Sequence, residues 1–214
     1  MERPQNPFQY PMISNPIKRK LVFASNNPNK LEEIRSIIGE KYQIVSLEEA
    51  GVLKEIPEPF DTLEANAREK STVIHSLTGM DCFSEDTGLE VEALQGAPGV
   101  RSARYAGEPA NPQKNINKLL LELGNSSNRS ARFRTVISLI LENHEYQFEG
   151  ICYGRITEKE TGEGGFGYDP IFIPDGSSES FATMTKKEKN QFSHRAKATL
   201  QLIEFLEKKW EESK

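Results

Sequence analysis

KLVFASNNPNKLEEIRSIIG, residues 20–39, is the stretch whose reading decides the fold class. Lys20 to Ser25 reads as a short buried strand, ended by Asn27, Pro28 and Asn29. Leu31, Ile34 and Ile38 then recur at offsets of three and four, the spacing of one helix face, with Gly39 as the stop. Tyr42 to Leu47 reads as a second strand. A β-loop-α-β opening of this kind belongs to α/β proteins.

Working outward, Asp61 or Thr62 can cap a helix that runs to about Leu77. Asp81 to Ser84 reads as a short strand ending at Glu85-Asp86-Thr87-Gly88, and Leu89 to Leu94 as another. Gly96 to Gly107 is a loop with two arginines, and Pro112 suits the start of a helix through Leu123. Ala131 to Leu141 and Tyr146 to Thr157 form a long hairpin around Asn143-His144. Gly162 to Asp169 is glycine-rich, and a last helix runs from about Gln191 to Trp210. Residues 1–17 hold four prolines and are expected to be a disordered extension. Residues 18–214 are expected to form a single α/β domain with a mixed sheet.

Composition narrows the function. The chain has 214 residues, enough for a large core, and a net charge of -5. That sign argues against a general duplex-binding surface, though not against a local basic pocket. No apolar run approaches the roughly 20 residues of a membrane span. Cys82 and Cys152 have no zinc-type spacing and read as small buried hydrophobes of a reducing compartment, so a cytoplasmic protein is expected.

Four constellations carry possible chemistry. Ser25, Asn26, Asn27, Pro28, Asn29 and Lys30 join a strand to a helix start, where backbone N–H groups and the helix dipole favour an anion. The bland alternative is an Asn/Pro cap with a surface lysine. Glu85 and Asp86 at a strand end, and Glu58 between two prolines, are carboxylates of the kind that hold Mg²⁺ or take a proton from water. Their pattern alone does not say which acid matters. Gly164 to Pro170 satisfies a G-x-G-x-x-G spacing from Gly162, but Pro170 forbids the helix that a dinucleotide fingerprint opens. There the glycines would let backbone approach a ligand, with Phe166 and Tyr168 as stacking faces. Lys189, His194 and Arg195 stand at the start of the last helix, where the donor-only guanidinium would accept a purine 6-carbonyl and reject a 6-amino group.

Taken together, LVFASNNPNKLEEI, LEANAREK, FSEDTGLEVEALQGAPGVRSARYAG, GGFGYDPIF and SHRAKA resemble the inosine triphosphate pyrophosphatase family, the non-canonical purine NTP pyrophosphatases. The resemblance covers residues 20–210. It implies a twisted mixed sheet flanked by helices, in two lobes around a central substrate cleft, and a homodimer. It implies hydrolysis of ITP, dITP and XTP to monophosphate and pyrophosphate. It further implies that Ser25 to Lys30 and Lys70 bind phosphates, and that Asp86 is general base and metal ligand. Thr87 would be a substrate contact, Glu58 a second carboxylate on Mg²⁺, Phe166, Gly167, Tyr168 and Asp169 a base platform, and Lys189, His194 and Arg195 a closure over it. Thr87 stands where the family usually has Ser, and Glu85 where many members have Asp. A pyrophosphatase for modified pyrimidine nucleotides would lack the SHR segment. A non-catalytic nucleotide-binding module would have lost Asp86, Glu58 or Lys30.

Overall fold

The computed structural model describes residues 19–38, 42–53 and 56–212. The extension expected over 1–17 and the helix stop expected at Gly39 lie outside the described residues. Strands are β1 (Arg19–Phe23), β2 (Tyr42–Val45), β3 (Cys82–Val91), β4 (Pro98–Gly99), β5 (Ser130–Leu141), β6 (His144–Ile156) and β7 (Phe172–Pro174). Helices are α1 (Pro28–Ile38), α2 (Leu63–Thr78), α3 (Pro112–Leu123), α4 (Lys186–Phe192) and α5 (His194–Glu212). Their ends follow local chemistry. The Thr62 hydroxyl accepts from the Ala65 N–H at the start of α2, and Gly79 closes that helix in the left-handed region. Asn111 caps α3 ahead of Pro112.

The seven strands make one mixed sheet in the order β2-β1-β3-β5-β6-β7, with β4 on β3. β1 runs parallel to β2 and β3, while β3, β5, β6 and β7 pair antiparallel. Two sequence expectations need correction here. β3 does not stop at Ser84: it continues through Glu85-Asp86-Thr87-Gly88 to Val91, because β5 pairs with it along its whole length. The last helix is two helices. Ser193 breaks them, and α4 starts at Lys186 with a capping box between Thr185 and Glu188.

One edge of β3 explains where a ligand can enter. Pairing with β1 ends at Phe83 and pairing with β4 begins at Leu89. Between them, Ser84 to Gly88 has no strand neighbour on that edge among the described residues. This is the point at which the sheet changes from parallel to antiparallel, the usual place for a crevice in an α/β fold.

Side-chain alternation along β3 supplies the rest. On one face Phe83 joins an apolar cluster with Phe23, Ile34, Leu139 and Leu202. Leu89 and Val91 join a second cluster with Ile116, Phe133, Phe172 and Phe181. Glu85 and Thr87 fall between them, opposite Ile137 and Thr135 of β5. The two lobes are therefore two cores on one sheet face, separated by a polar band. The other face carries α2, tied down where Ser84 donates to the Ala67 carbonyl and Ser71 meets the Ser138 hydroxyl at 2.8 Å.

Candidate active site

The loop after β1 folds as a helix cap. The Asn27 side chain accepts from the N–H groups of Asn29 at 3.0 Å and Lys30 at 3.3 Å. Those two donors are thus already engaged by the protein. Pro28 sits at the first helical position and lines neither of the cavities below, as its missing N–H and fixed φ would lead one to expect. Ser25, Asn26 and Lys30 do line a charged cavity of about 210 Å³, together with Glu58, Lys70, Glu85 and Arg104.

Glu85 and Asp86 point to opposite faces and have separate partners. On the α5 side Glu85 is fully enclosed. Arg195 Nε donates to both its oxygens, at 2.8 and 3.0 Å, and Lys30 Nζ lies 3.1 Å away. Burial pushes the Glu85 carboxyl up, but Arg195 and Lys30 outweigh it and hold it down at about 2. Glu85 is a strut held as a carboxylate by two cations.

On the α2 side, Asp86 Oδ1 accepts from Lys70 Nζ at 3.2 Å, while Oδ2 is buried with no hydrogen-bond partner. Burial raises its pKa, with Lys70 opposing. The same ammonium donates to Glu58 Oε1 at 2.7 Å and to the Glu85 carbonyl at 2.7 Å. Burial would raise Glu58 too, but Lys70, Lys30 and Arg104 more than offset it. A bare buried carboxylate oxygen beside a second carboxylate fits a small hard cation such as Mg²⁺, which takes one or two carboxylates and leaves its other positions to water and phosphate. Among the described residues no group of three or more His, Cys, Asp or Glu could enclose a metal alone.

A second cavity, of about 390 Å³, opens on the Glu85 face. Asn27, Asn29, Lys30, Thr87, Phe133, Phe166, Gly167, Tyr168, Asp169, Lys189, His194 and Arg195 all contribute to its wall. Thr87 shares a 2.7 Å hydrogen bond with Thr135. Asp169 organises the glycine loop: Oδ2 accepts from the Phe166 N–H at 2.8 Å and from Lys189 Nζ at 2.7 Å. Gly165 is obligatory there, since its φ is +73° and a Cβ would overlap the Asp169 side chain. Lys189 and Arg195 stand 4.8 and 5.5 Å from the Phe166 ring centre. Tyr168 is a wall rather than a free platform, because it is buried and its hydroxyl donates to the Ser102 carbonyl at 2.9 Å. His194 stacks on Phe133 at 4.7 Å. It is held neutral by burial first and then by the Arg195 and Lys189 charges, and its Nδ1 has no partner.

Sequence reasoning missed Glu33, Arg104, Ser102 and Asn115. Glu33 on α1 takes Arg195 and Lys189 together, the latter at 3.1 Å. The i, i+3 spacing from Lys30 was the only available signal.

With that geometry in place, likeness to known proteins becomes specific. A family model described as the Ham1 family matches residues 21–205. This chain belongs to the Ham1 family. It is 53% identical over 187 residues to a dITP/XTP pyrophosphatase of Flavobacterium johnsoniae, covering 87% of this chain and 97% of that protein. A dITP/XTP pyrophosphatase of Porphyromonas gingivalis is 54% identical over 188 residues, with the same coverage. The solved Ham1 protein of Staphylococcus aureus superposes with a TM-score of 0.82 at 38% identity, over 89% of this chain and all of that one. The Ham1 match runs through every site segment described above, from the β1 loop to α5.

Proposed function

We propose that this Ham1-family chain hydrolyses non-canonical purine nucleoside triphosphates, ITP, dITP and XTP, to the monophosphate and pyrophosphate, so cleansing the nucleotide pool. The observation that carries the reading is Lys30, which lines both the charged cavity and the larger aromatic-walled one. A single ligand with an anionic tail and a flat head fits that pair of cavities. The relatives named dITP/XTP pyrophosphatase support the choice of ligand.

In this reading Ser25, Asn26 and Lys30 receive the phosphates. Glu58 and Asp86 would hold Mg²⁺, which when bound would neutralise phosphate charge and help water act as the nucleophile. Asp86 takes the proton of the attacking water. The water oxygen adds to the α-phosphorus and the bond to the α–β bridging oxygen breaks, so pyrophosphate leaves with that oxygen. Lys70 keeps Asp86 and Glu58 apart and aimed. The base lies against Phe166 in the second cavity, where Arg195 and His194 supply its polar edge. Thr87, Gly167, Tyr168, Asp169 and Lys189 shape that cavity.

The finer expectations belong to the same proposal. Residues 18–214 act as one catalytic domain, and the protein works as a homodimer. It acts in the cytoplasm, where its substrates arise and where two buried unpaired thiols are at home. Among the described residues no helix is long and apolar enough to cross a membrane. The test is turnover across the common NTPs and dNTPs plus ITP, dITP and XTP, with and without Mg²⁺. Preference for the 6-oxo purines ITP, dITP and XTP, dependent on Mg²⁺, is expected; equal turnover of ATP, or preference for a pyrimidine, contradicts the reading.

A further inference from the structure

Lys30, Lys70 and Arg104 all face the charged cavity, but they differ in what each has left to donate. An ammonium carries three N–H groups. Those of Lys70 meet three protein acceptors: Glu58 Oε1, the Glu85 carbonyl and Asp86 Oδ1. Its side chain is buried, so in this arrangement it has nothing free for a phosphate. Among the described residues Lys30 has one ion pair, with Glu85.

Arg104 carries five N–H groups and, among the described residues, its side chain donates one hydrogen bond, from Nη2 to Glu58 Oε2 at 3.0 Å. Its other acidic neighbour, Glu108, lies 3.8 Å away, beyond hydrogen-bond reach. The side chain is 39% exposed. It lines the charged cavity and also an adjoining one of about 260 Å³ that contains Pro59, Asp61 and Arg101.

The backbone beneath Arg104 is fixed. Ser102 to Arg104 forms a tight turn, and Asn115 of α3 donates to the Ala103 carbonyl at 2.9 Å and to the Ser102 carbonyl at 3.3 Å. Ser102, Ala103 and Asn115 are themselves part of the wall of the larger cavity. One three-residue turn therefore lines the larger cavity with its first two residues and the charged cavity with its third.

We propose that Arg104 is a substrate-contacting residue that grips the departing pyrophosphate end of the triphosphate, with Glu58 taking a single N–H of its guanidinium when no phosphate is bound. A planar guanidinium matches two phosphate oxygens at once, which an ammonium does not. The inference rests on the triphosphate reading above and goes beyond it in assigning the far end of the substrate to a residue of the 102–104 turn.

Calorimetric titration with inorganic pyrophosphate tests it, on wild type, Arg104→Ala and Arg104→Lys, in Mg²⁺ and in EDTA. IMP is titrated in parallel as a check that the larger cavity is intact. Direct contact predicts that Arg104→Ala weakens pyrophosphate roughly 10- to 100-fold in both media, the scale of a hydrogen-bonded charge, while IMP affinity is unchanged. Arg104→Lys should recover part of the loss. Unchanged pyrophosphate affinity in Arg104→Ala overturns the proposal. So does a loss confined to Mg²⁺, since that would mean Arg104 acts only by placing Glu58. An equal loss for IMP and pyrophosphate overturns it too, because that is the mark of a disturbed fold. If wild type binds pyrophosphate through Arg104 but does not turn over ITP, the functional reading fails and the contact stands.

Discussion

Glu85 and Asp86 are consecutive in β3, yet their carboxylates lie on opposite faces of the sheet and answer to different cations. Arg195 and Lys30 saturate Glu85, whereas Asp86 shares Lys70 with Glu58 and keeps one oxygen bare. The alternation of a strand thus separates a structural acid from a chemically available one. Of the two, Asp86 alone has a free oxygen and a raised pKa, the two properties wanted of a base.

Asp86→Asn is expected to lower ITP turnover by roughly 100-fold or more, the scale of a lost general base. The fold should survive, since the amide keeps the shape and an acceptor for Lys70. Steady-state kinetics alongside a melting curve check this. Near wild-type turnover would remove Asp86 from the mechanism.

Arg195→Ala tests the opposite role for Glu85. It leaves a fully enclosed carboxylate with Lys30 as its remaining cation, and breaking a buried pair costs up to about 3–5 kcal/mol. For a chain of this size the melting temperature should fall on the order of 10 °C. The double variant Arg195→Met with Glu85→Gln should regain much of that loss. A single variant as stable as wild type would show that the pair carries no structural load.

The fold class was legible for definite reasons, and the segments that line the two cavities are ones the sequence motifs had singled out. Apolar spacing gave the first and last helices, and Asn27-Pro28-Asn29, Asp61 or Thr62 and Pro112 gave helix starts. What the sequence hid was pairing. Asp86 and Glu85 differ in function only because α2 lies on one face of β3 and α5 on the other. No local pattern encodes that. The strand break expected at Ser84 had the same cause, since Glu85-Asp86-Thr87-Gly88 looks like a turn until β5 is known to pair with it. The loop arginines were noticed, but the place of Arg104 was not, because Glu58 and Lys70 are 46 and 34 positions away in sequence.

His194 should leave a signature in the dependence of stability on pH. Its folded pKa is lowered well below 6.5, first by burial and then by the neighbouring Arg195 and Lys189 charges. Below pH 6.5 the unfolded chain takes up a proton there and the folded protein does not. Stability from this group is therefore complete above 6.5 and is lost as pH falls toward the folded value, at up to about 1.4 kcal/mol per pH unit. His194→Phe, which keeps a ring against Phe133, should flatten the slope between pH 6.5 and 5 in denaturant titrations. An unchanged slope would mean that His194 protonates freely in the folded state.

Gly150 lets β6 pass close against the backbone of α5. A Cβ there would overlap the His194 carbonyl and sit 2.6 Å from the Ala198 amide nitrogen. Gly150→Ala is expected to cost about 1–3 kcal/mol. Because the clash falls on His194 itself, ITP affinity should weaken with it. A stable variant with unaltered affinity would show that α5 can shift without consequence for the base cavity.

The account as a whole stands on the bond that is broken. Incubating the protein with ITP and Mg²⁺ and resolving the first products by ion-exchange chromatography, with direct assay of phosphate and pyrophosphate, tests this most directly. The account predicts IMP and pyrophosphate in equal amounts from the earliest time points, with no IDP. IDP with orthophosphate as the initial products would contradict it.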